Sequence, residues 1–219
     1  GAALLAYTLG PWAAAVVMTA ILAIQSLVFQ DGGLLALGAN VVNMALVGVL
    51  AAWLPYRSHT SRFGIFAGAL LSVGCAGALT LSELLISGIP IRASLLMASM
   101  AVFLVSGLIE GAITVTVLGS IEKIQPGWVK APGSARRGRL WFASAALALA
   151  VGGVLVASSA PDGLEKLIAD AGLASREKKV LQAPMADYEW NLIQGQWPRK
   201  AAAGLAGLAA VYGICLVVG

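Results

Sequence analysis

The sequence has 219 residues, of which 59% are hydrophobic and only 11% charged, and it carries a formal net charge of +4. Ordinary soluble domains carry about 25% charged residues, so a chain with a mean hydropathy of +0.89 has too little polar surface to cover a water-soluble fold of this size. Apolar runs of about 20 residues, the length that crosses a hydrocarbon core of roughly 30 Å, recur along it and predict an all-α polytopic transmembrane helical bundle.

Ala2–Leu9 is apolar but too short to span alone, and it is cut off by Gly10-Pro11. Pro11 suits the first turn of a helix, where its missing N–H costs nothing. Six spans are predicted from there: Pro11–Phe29, Leu34–Leu54, Gly64–Ile86, Ala93–Leu118, Leu140–Ala157 and Ala201–Val218. Asp31-Gly32-Gly33 ends the first, Pro55 the second, and Ser87-Gly88-Ile89-Pro90 the third. A basic loop, Tyr56–Arg62, follows the second span, and another, Ser120–Arg139, follows the fourth. Within the latter, residues 126–139 combine basic side chains with Gly and Pro and read as a linker between a four-span block, 1–125, and a two-span block, 140–219.

The long polar stretch Ser158–Pro198 has structure of its own. Asp162 and Glu165 have capping-box spacing. Leu164, Leu167, Ile168 and Ala171 follow at i, i+3, i+4 and i+7, which predicts a short amphipathic helix lying on the membrane or on a partner. Arg176–Lys179 reads as solvated.

The sequence pI of about 9.3 reflects topology rather than a nucleic-acid partner. Arg57, Arg62, Lys123, Lys130, Arg136, Arg137 and Arg139 cluster in the two basic loops, which the positive-inside rule places in the cytoplasm. No basic segment is interleaved with stacking aromatics. Alternation then puts the loops at 30–33 and 87–92, together with Ser158–Pro198, outside, and the C-terminus in the cytoplasm. Arg199 and Lys200 fit this pattern less well, although both can snorkel to the interface.

Few side chains suggest chemistry. Cys75 and Cys215 sit inside apolar helices and form no CxxC pattern. Gly68, Gly74 and Gly77 on the third span read as close helix packing. The intramembrane polar groups are Gln25, Asn40, Asn43, Glu83 and Glu110. Such groups are costly in a bilayer and face a protein interior or cavity. Asn40, Asn43 and Glu110 are the candidates for supporting a substrate site, with a purely structural hydrogen-bonding role as the other reading. His59, the sole histidine, lies beside Arg57 and Arg62, a poor environment for a divalent cation that needs several ligands. Met18, Met44, Met97, Met100 and Met185 read mainly as helix filler. No nucleotide-binding glycine loop, metal-site spacing or catalytic pairing is present, so the chain is expected not to be an enzyme and to bind no cofactor of its own.

Several strings resemble a known family. Leu9-Gly10-Pro11-Trp12-Ala13, Asp31-Gly32-Gly33, Leu37–Met44 and Gly107–Thr114 are similar to the CbiM/NikM substrate-binding components of energy-coupling-factor (ECF) importers for Co(II) and Ni(II). The second block resembles the CbiN/NikN type, in which two helices flank an external loop with the PDGLE motif. Pro161, Asp162, Gly163, Leu164 and Glu165 match that motif, and Ala186-Asp187-Tyr188 matches a later string. The resemblance implies a multi-pass subunit of a bacterial cytoplasmic membrane that captures the ion from outside. Its partners are the lipid bilayer, a transmembrane coupling subunit and cytoplasmic ATPases, and the CbiN-like part is associated with metal loading. In the family, metal is held by an N-terminal Met-His segment and a histidine in a Ser-His-Pro-Thr-Gly loop. Neither string occurs here, and no metal ligand is carried over. The expectation is that these segments lie upstream of Gly1 and that the chain alone binds neither ion tightly. A second expectation is an accessory or docking module of such a transporter.

Overall fold

The computed structural model describes residues 1–58, 61–124, 126, 169, 172, 183–190 and 192–218. The expected fifth span, the linker apart from Pro126, the Pro161–Glu165 motif, the amphipathic helix beginning there apart from Ala169, Arg176–Lys179 and His59 lie outside the described residues. So does the Cys215 side chain. Among the described residues every regular element is helical: α1 (Ala2–Leu9), α2 (Pro11–Ile24), α3 (Leu37–Asn40), α4 (Val49–Ser58), α5 (Arg62–Ile86), α6 (Ala93–Ile124) and α7 (Gln196–Val218). Two π-helical segments, Gln25–Phe29 and Val41–Gly48, continue α2 and join α3 to α4, and Ala186–Tyr188 forms a 3-10 turn. Four stretches, Pro11–Phe29, Leu37–Pro55, Arg62–Ile86 and Ala93–Ile124, are long and apolar enough to cross a membrane. The protein is a multi-pass, all-α membrane protein. α7 occupies the place of the expected sixth span and begins five residues earlier than Ala201.

Local chemistry explains most of the boundaries. Gly10, at φ 81°, ends α1 and returns its N–H to the Ala6 carbonyl at 3.0 Å. Pro11 then opens α2. The Ser61 hydroxyl accepts from the Gly64 N–H at 3.2 Å, an N-cap that satisfies one of the orphan donors of a helix start. With that cap, α5 begins at Arg62 rather than Gly64.

Three expected boundaries are corrected. The second span begins at Leu37, not Leu34, and α4 runs through Pro55 to Ser58. Proline removes one intrahelical hydrogen bond, and in a last turn little helix remains to be disrupted. α6 continues past Leu118 to Ile124. Its polar side chains bond to the helix itself: the Thr116 and Ser120 hydroxyls donate to the Ala112 and Thr116 carbonyls at 2.8 and 2.9 Å. Its last described residue, Ile124, lies two positions before Pro126.

The helices form two compact units. The first holds Gly1–Met18 and the described parts of Ala39–Pro132 and Ala160–Lys178. Here α5 is central, packing against α1, α4, α6 and the π-helical segment Val41–Gly48. Small residues let the backbones approach. The Tyr7 hydroxyl donates to the Ala52 carbonyl at 3.0 Å, and a Cβ on Gly68 would stand 2.6 Å from that same oxygen. Along the α5–α6 seam the Phe103 ring covers Gly77, Leu70 covers Gly107, and Phe66 covers Gly111. Gly74 does not share this role, since nothing lies within 4 Å of its Cβ position.

The second unit holds Thr19–Gly38 and the described part of Lys179–Gly219. Its core is Ile24, Phe29 and Ala203, with Val28, Met185, Ala210 and Val211 packed against it. Gly207 brings α7 against the Phe29 ring, where a Cβ would sit 2.9 Å from the ring carbons. Arg199 is accounted for by an ion pair with Glu189 at 3.6 Å.

Candidate functional site

Polar groups within the apolar helices gather at two places in the first unit. Glu110, 24% exposed on α6, has its Oε1 atom beside the Gly1 nitrogen at 2.5 Å. Leu4, Ser106, Ile109, Ile113 and Thr114 line the shallow recess around this pair, which has a volume of about 340 Å³. The other place is Asn43, 2% exposed in the π-helical segment. Its side-chain Nδ2 donates to Glu83 Oε2 at 2.9 Å and to Thr80 Oγ1 at 3.3 Å. The Asn43 Oδ1 atom is buried without a hydrogen-bond partner among the described residues.

This arrangement separates Asn43 from Asn40. Asn40 and Asn43 are three residues apart, a spacing that shares one face in an α-helix. Val41–Gly48 is π-helical, with i→i+5 bonding, so a three-residue step falls farther short of a full turn. Asn40 is only half-buried, at the end of α3. The residue that joins Asn43 is Glu83, with Thr80 one turn earlier on α5, the i, i+3 spacing that puts two side chains on one helix face. That spacing was the available signal for Thr80.

A third cluster lies in the second unit, where the segment 183–190 meets the turn that ends the first long helix. The Tyr188 hydroxyl donates to Asp31 Oδ2 at 2.5 Å and accepts from Gln25 Nε2 at 3.4 Å. The Tyr188 ring stacks on Phe29, with centroids 4.5 Å apart and planes 15° from parallel. Backbone bonds flank the contact: the Ala183 N–H donates to Gln30 Oε1 at 3.1 Å, and the Met185 N–H to the Val28 carbonyl at 3.0 Å. Burial, then the hydrogen bond to Asp31 and its negative charge, raise the Tyr188 phenol above the ordinary tyrosine range. The weak bond from Gln25 acts in the opposite direction. Asp31 thus forms one side of a contact whose other side, Tyr188, is 157 residues away in sequence. Gln25 was visible in the sequence as a polar residue in an apolar run, and Tyr188 as part of a resembling string, but nothing there paired them. Among the described residues no three His, Cys, Asp or Glu side chains group as metal ligands would.

Comparison with known proteins gives these clusters a setting. The model of the CbiM family, a cobalt uptake substrate-specific transmembrane region, matches residues 1–128. The chain belongs to the CbiM family. The PDGLE domain matches residues 136–219, so the CbiM part and a PDGLE part follow one another in one polypeptide. A protein of Archaeoglobus fulgidus assigned as a fused nickel transport protein, NikMN, is 34% identical over 86% of this chain and 65% of its own length. A Lactiplantibacillus plantarum protein assigned as a fused nickel transport protein, LarMN, is 32% identical over 65% of this chain and 49% of its own. The fused nickel transport protein NikMN of Rhodobacter capsulatus is 28% identical over the whole of this chain and 75% of its own length. The chain therefore spans about half to three quarters of these relatives. No solved structure matches. In these terms the network of Asn43, Thr80 and Glu83 and the recess at Glu110 lie within the CbiM part, while the Asp31–Tyr188 contact joins the CbiM part to the PDGLE part.

Proposed function

We propose that the chain is the substrate-specific membrane subunit of an ECF-type, ATP-driven importer of Co(II) or Ni(II), a transport component rather than an enzyme. The observation that carries this reading is the order of the two matches in one chain, CbiM at 1–128 and PDGLE at 136–219. Relatives named as fused nickel transport proteins align across both regions, one of them over the whole chain. The metal is cargo. Capture takes place on the outer side of a bacterial cytoplasmic membrane. A transmembrane coupling subunit and cytoplasmic ATPases supply the energy. The absence of any nucleotide-binding glycine loop in the sequence is in keeping with that division of labour.

The geometry supports a reading of the residues that shape the substrate region. Intramembrane carboxylates are costly unless they are paired, and Glu83 holds a partner, Asn43, in the first unit. Asn43 and Glu110 are proposed to shape the substrate region of the CbiM part, with Asn40 in a lesser role. Asp31-Gly32-Gly33 and the Pro161–Glu165 motif are proposed to serve the association of the PDGLE part with the CbiM part.

Uptake of labelled Co(II) and Ni(II) tests the reading. Cells without their own high-affinity uptake, expressing the chain with its coupling and ATPase partners, should accumulate at least one of the two ions. Accumulation should disappear when the ATPase is inactivated. Accumulation no greater than in cells without the chain would refute the proposal.

A further inference from the structure

The network of Asn43, Thr80 and Glu83 leaves one atom out. Asn43 spends both donors of Nδ2, one on Glu83 Oε2 at 2.9 Å and one on Thr80 Oγ1 at 3.3 Å. The Thr80 hydroxyl gives its own proton to the Ala76 carbonyl at 3.0 Å, and Glu83 as a carboxylate has none to give. Asn43 Oδ1 is therefore buried with no hydrogen-bond partner among the described residues, on a residue only 2% exposed. A buried acceptor left unpaired is costly, and in a native fold it calls for an explanation.

The oxygen atoms of the three residues supply one. Carboxylate, hydroxyl and amide oxygens are the ligands of hard cations. Oδ1 and Nδ2 share one carbon, so a half turn about the last side-chain bond of Asn43 exchanges them. After that turn Oδ1 joins Glu83 Oε2 and Thr80 Oγ1 in an oxygen-only cluster. In the absence of a cation the turn sets a carbonyl oxygen against a carboxylate, and the repulsion returns Nδ2 to the position it holds here. One atom of the amide lacks a partner in either orientation, and a positive charge decides which.

Location and strength follow from the same residues. The π-helical segment Val41–Gly48 carries Asn43, and π-helical insertions are frequent at functional sites. Glu83 lies in the last turn of α5, which ends at Ile86. Glu83 and Thr80 are half-buried, so the carboxylate side of the cluster is open to an arriving ion. One carboxylate among neutral oxygens, without imidazole or thiolate, holds a first-row divalent ion weakly. Weak holding suits a conducting path, where a site must be entered and then left.

We propose that Asn43, Thr80 and Glu83 form a low-affinity, all-oxygen cation site, at which a divalent ion arriving from outside stands before it passes deeper into the CbiM part. Glu83 supplies the charge, Thr80 a neutral oxygen, and the Asn43 amide turns with occupancy. The staging role rests on the transport reading above, whereas the cation site itself does not.

Nuclear magnetic resonance of the full chain in lipid nanodiscs, titrated with Co(II) against Zn(II) as the diamagnetic reference, reads the site directly. Paramagnetic changes should saturate and should be largest at the Asn43 side-chain amide and the Thr80 methyl group. Glu83→Gln keeps an oxygen for the Asn43 bond but loses the charge, and should weaken binding at least about tenfold, as the loss of even an outer-shell partner does at many metal sites. Parent-like resonances along α6 show that the variant is folded. Asn43→Asp removes the Nδ2 donor and places oxygen at both positions. It should bind Co(II) more tightly than the parent, a gain that a purely structural hydrogen bond does not predict. Changes that do not saturate, that centre on Glu110 or Asp31, or that persist undiminished in Glu83→Gln would overturn the site. Weaker binding in Asn43→Asp would overturn the amide as a ligand. The staging role is read as metal uptake with the partner subunits present, where Glu83→Gln should raise the apparent KM for the ion. Lost binding with an unaltered KM would overturn that role. No uptake by the parent chain would refute the transport reading, and with it the staging role, while the titration would still decide the cation site.

Discussion

Burial and the Asp31 carboxylate act together on the Tyr188 phenol, and both raise its pKa. A group whose folded pKa exceeds its unfolded value contributes stability that is fully present below the unfolded pKa, about 10 for tyrosine. That contribution is lost as pH rises through the higher folded value. The contact should therefore hold throughout the neutral range and release only in strongly alkaline solution. The difference in tyrosinate absorbance between parent and Tyr188→Phe isolates this one phenol among the four tyrosines. It should titrate above the ordinary range, and a midpoint near 10 would contradict the arrangement. Neither partner advertises this in the sequence. Asp31 reads as a turn residue before two glycines and Tyr188 as the end of a separate resembling string. Their separation of 157 residues places the pairing beyond any local pattern.

Helix termini set by local backbone chemistry were legible. Gly10 and Pro11 mark the end of α1 and the start of α2, because one takes positive φ and the other needs no donor. Where a boundary was inferred from hydropathy the helices ran on: α6 keeps Ser120, Glu122 and Lys123 within its final turns, since polar side chains do not break a helix that meets water. The π-helical segment was not legible, because residues 41–48 have the composition of any apolar helix and differ only in which carbonyl each N–H meets. That segment sets which asparagine reaches α5. Asn43→Ala and Glu83→Ala should each destabilise the protein, and the double variant by less than their sum. A coupling of about 1 kcal/mol is expected, typical of hydrogen bonds between membrane helices. Asn40→Ala should show no coupling to Glu83. Unfolding in mixed micelles measures all three, and additivity of Asn43 and Glu83 would show that the bond contributes nothing.

For the molecule as a whole, composition alone was enough for the membrane class and the all-α architecture, since 11% charge cannot cover a soluble fold. The basic loops at 56–62 and 120–139 support a proposal of orientation, with both loops in the cytoplasm. In a background with Cys75 and Cys215 replaced by serine, Gly163→Cys should react with an impermeant maleimide on intact cells, and Gly133→Cys only after permeabilisation. The reverse pattern would invert the topology. Asn43 and Glu110 were legible as candidates because polar groups stand out in apolar helices, but their partners depend on packing that no single-chain pattern encodes. The π-helical stretch carries one last consequence, and it concerns counting. A widened turn accommodates about one residue more than the α-helix it interrupts. Deleting Val41 or Val42 would leave a chain fully able to continue as helix, yet would rotate that asparagine by about 100° against everything before it. A one-residue gap placed here when homologous sequences are aligned is therefore a statement about which side chain meets Glu83.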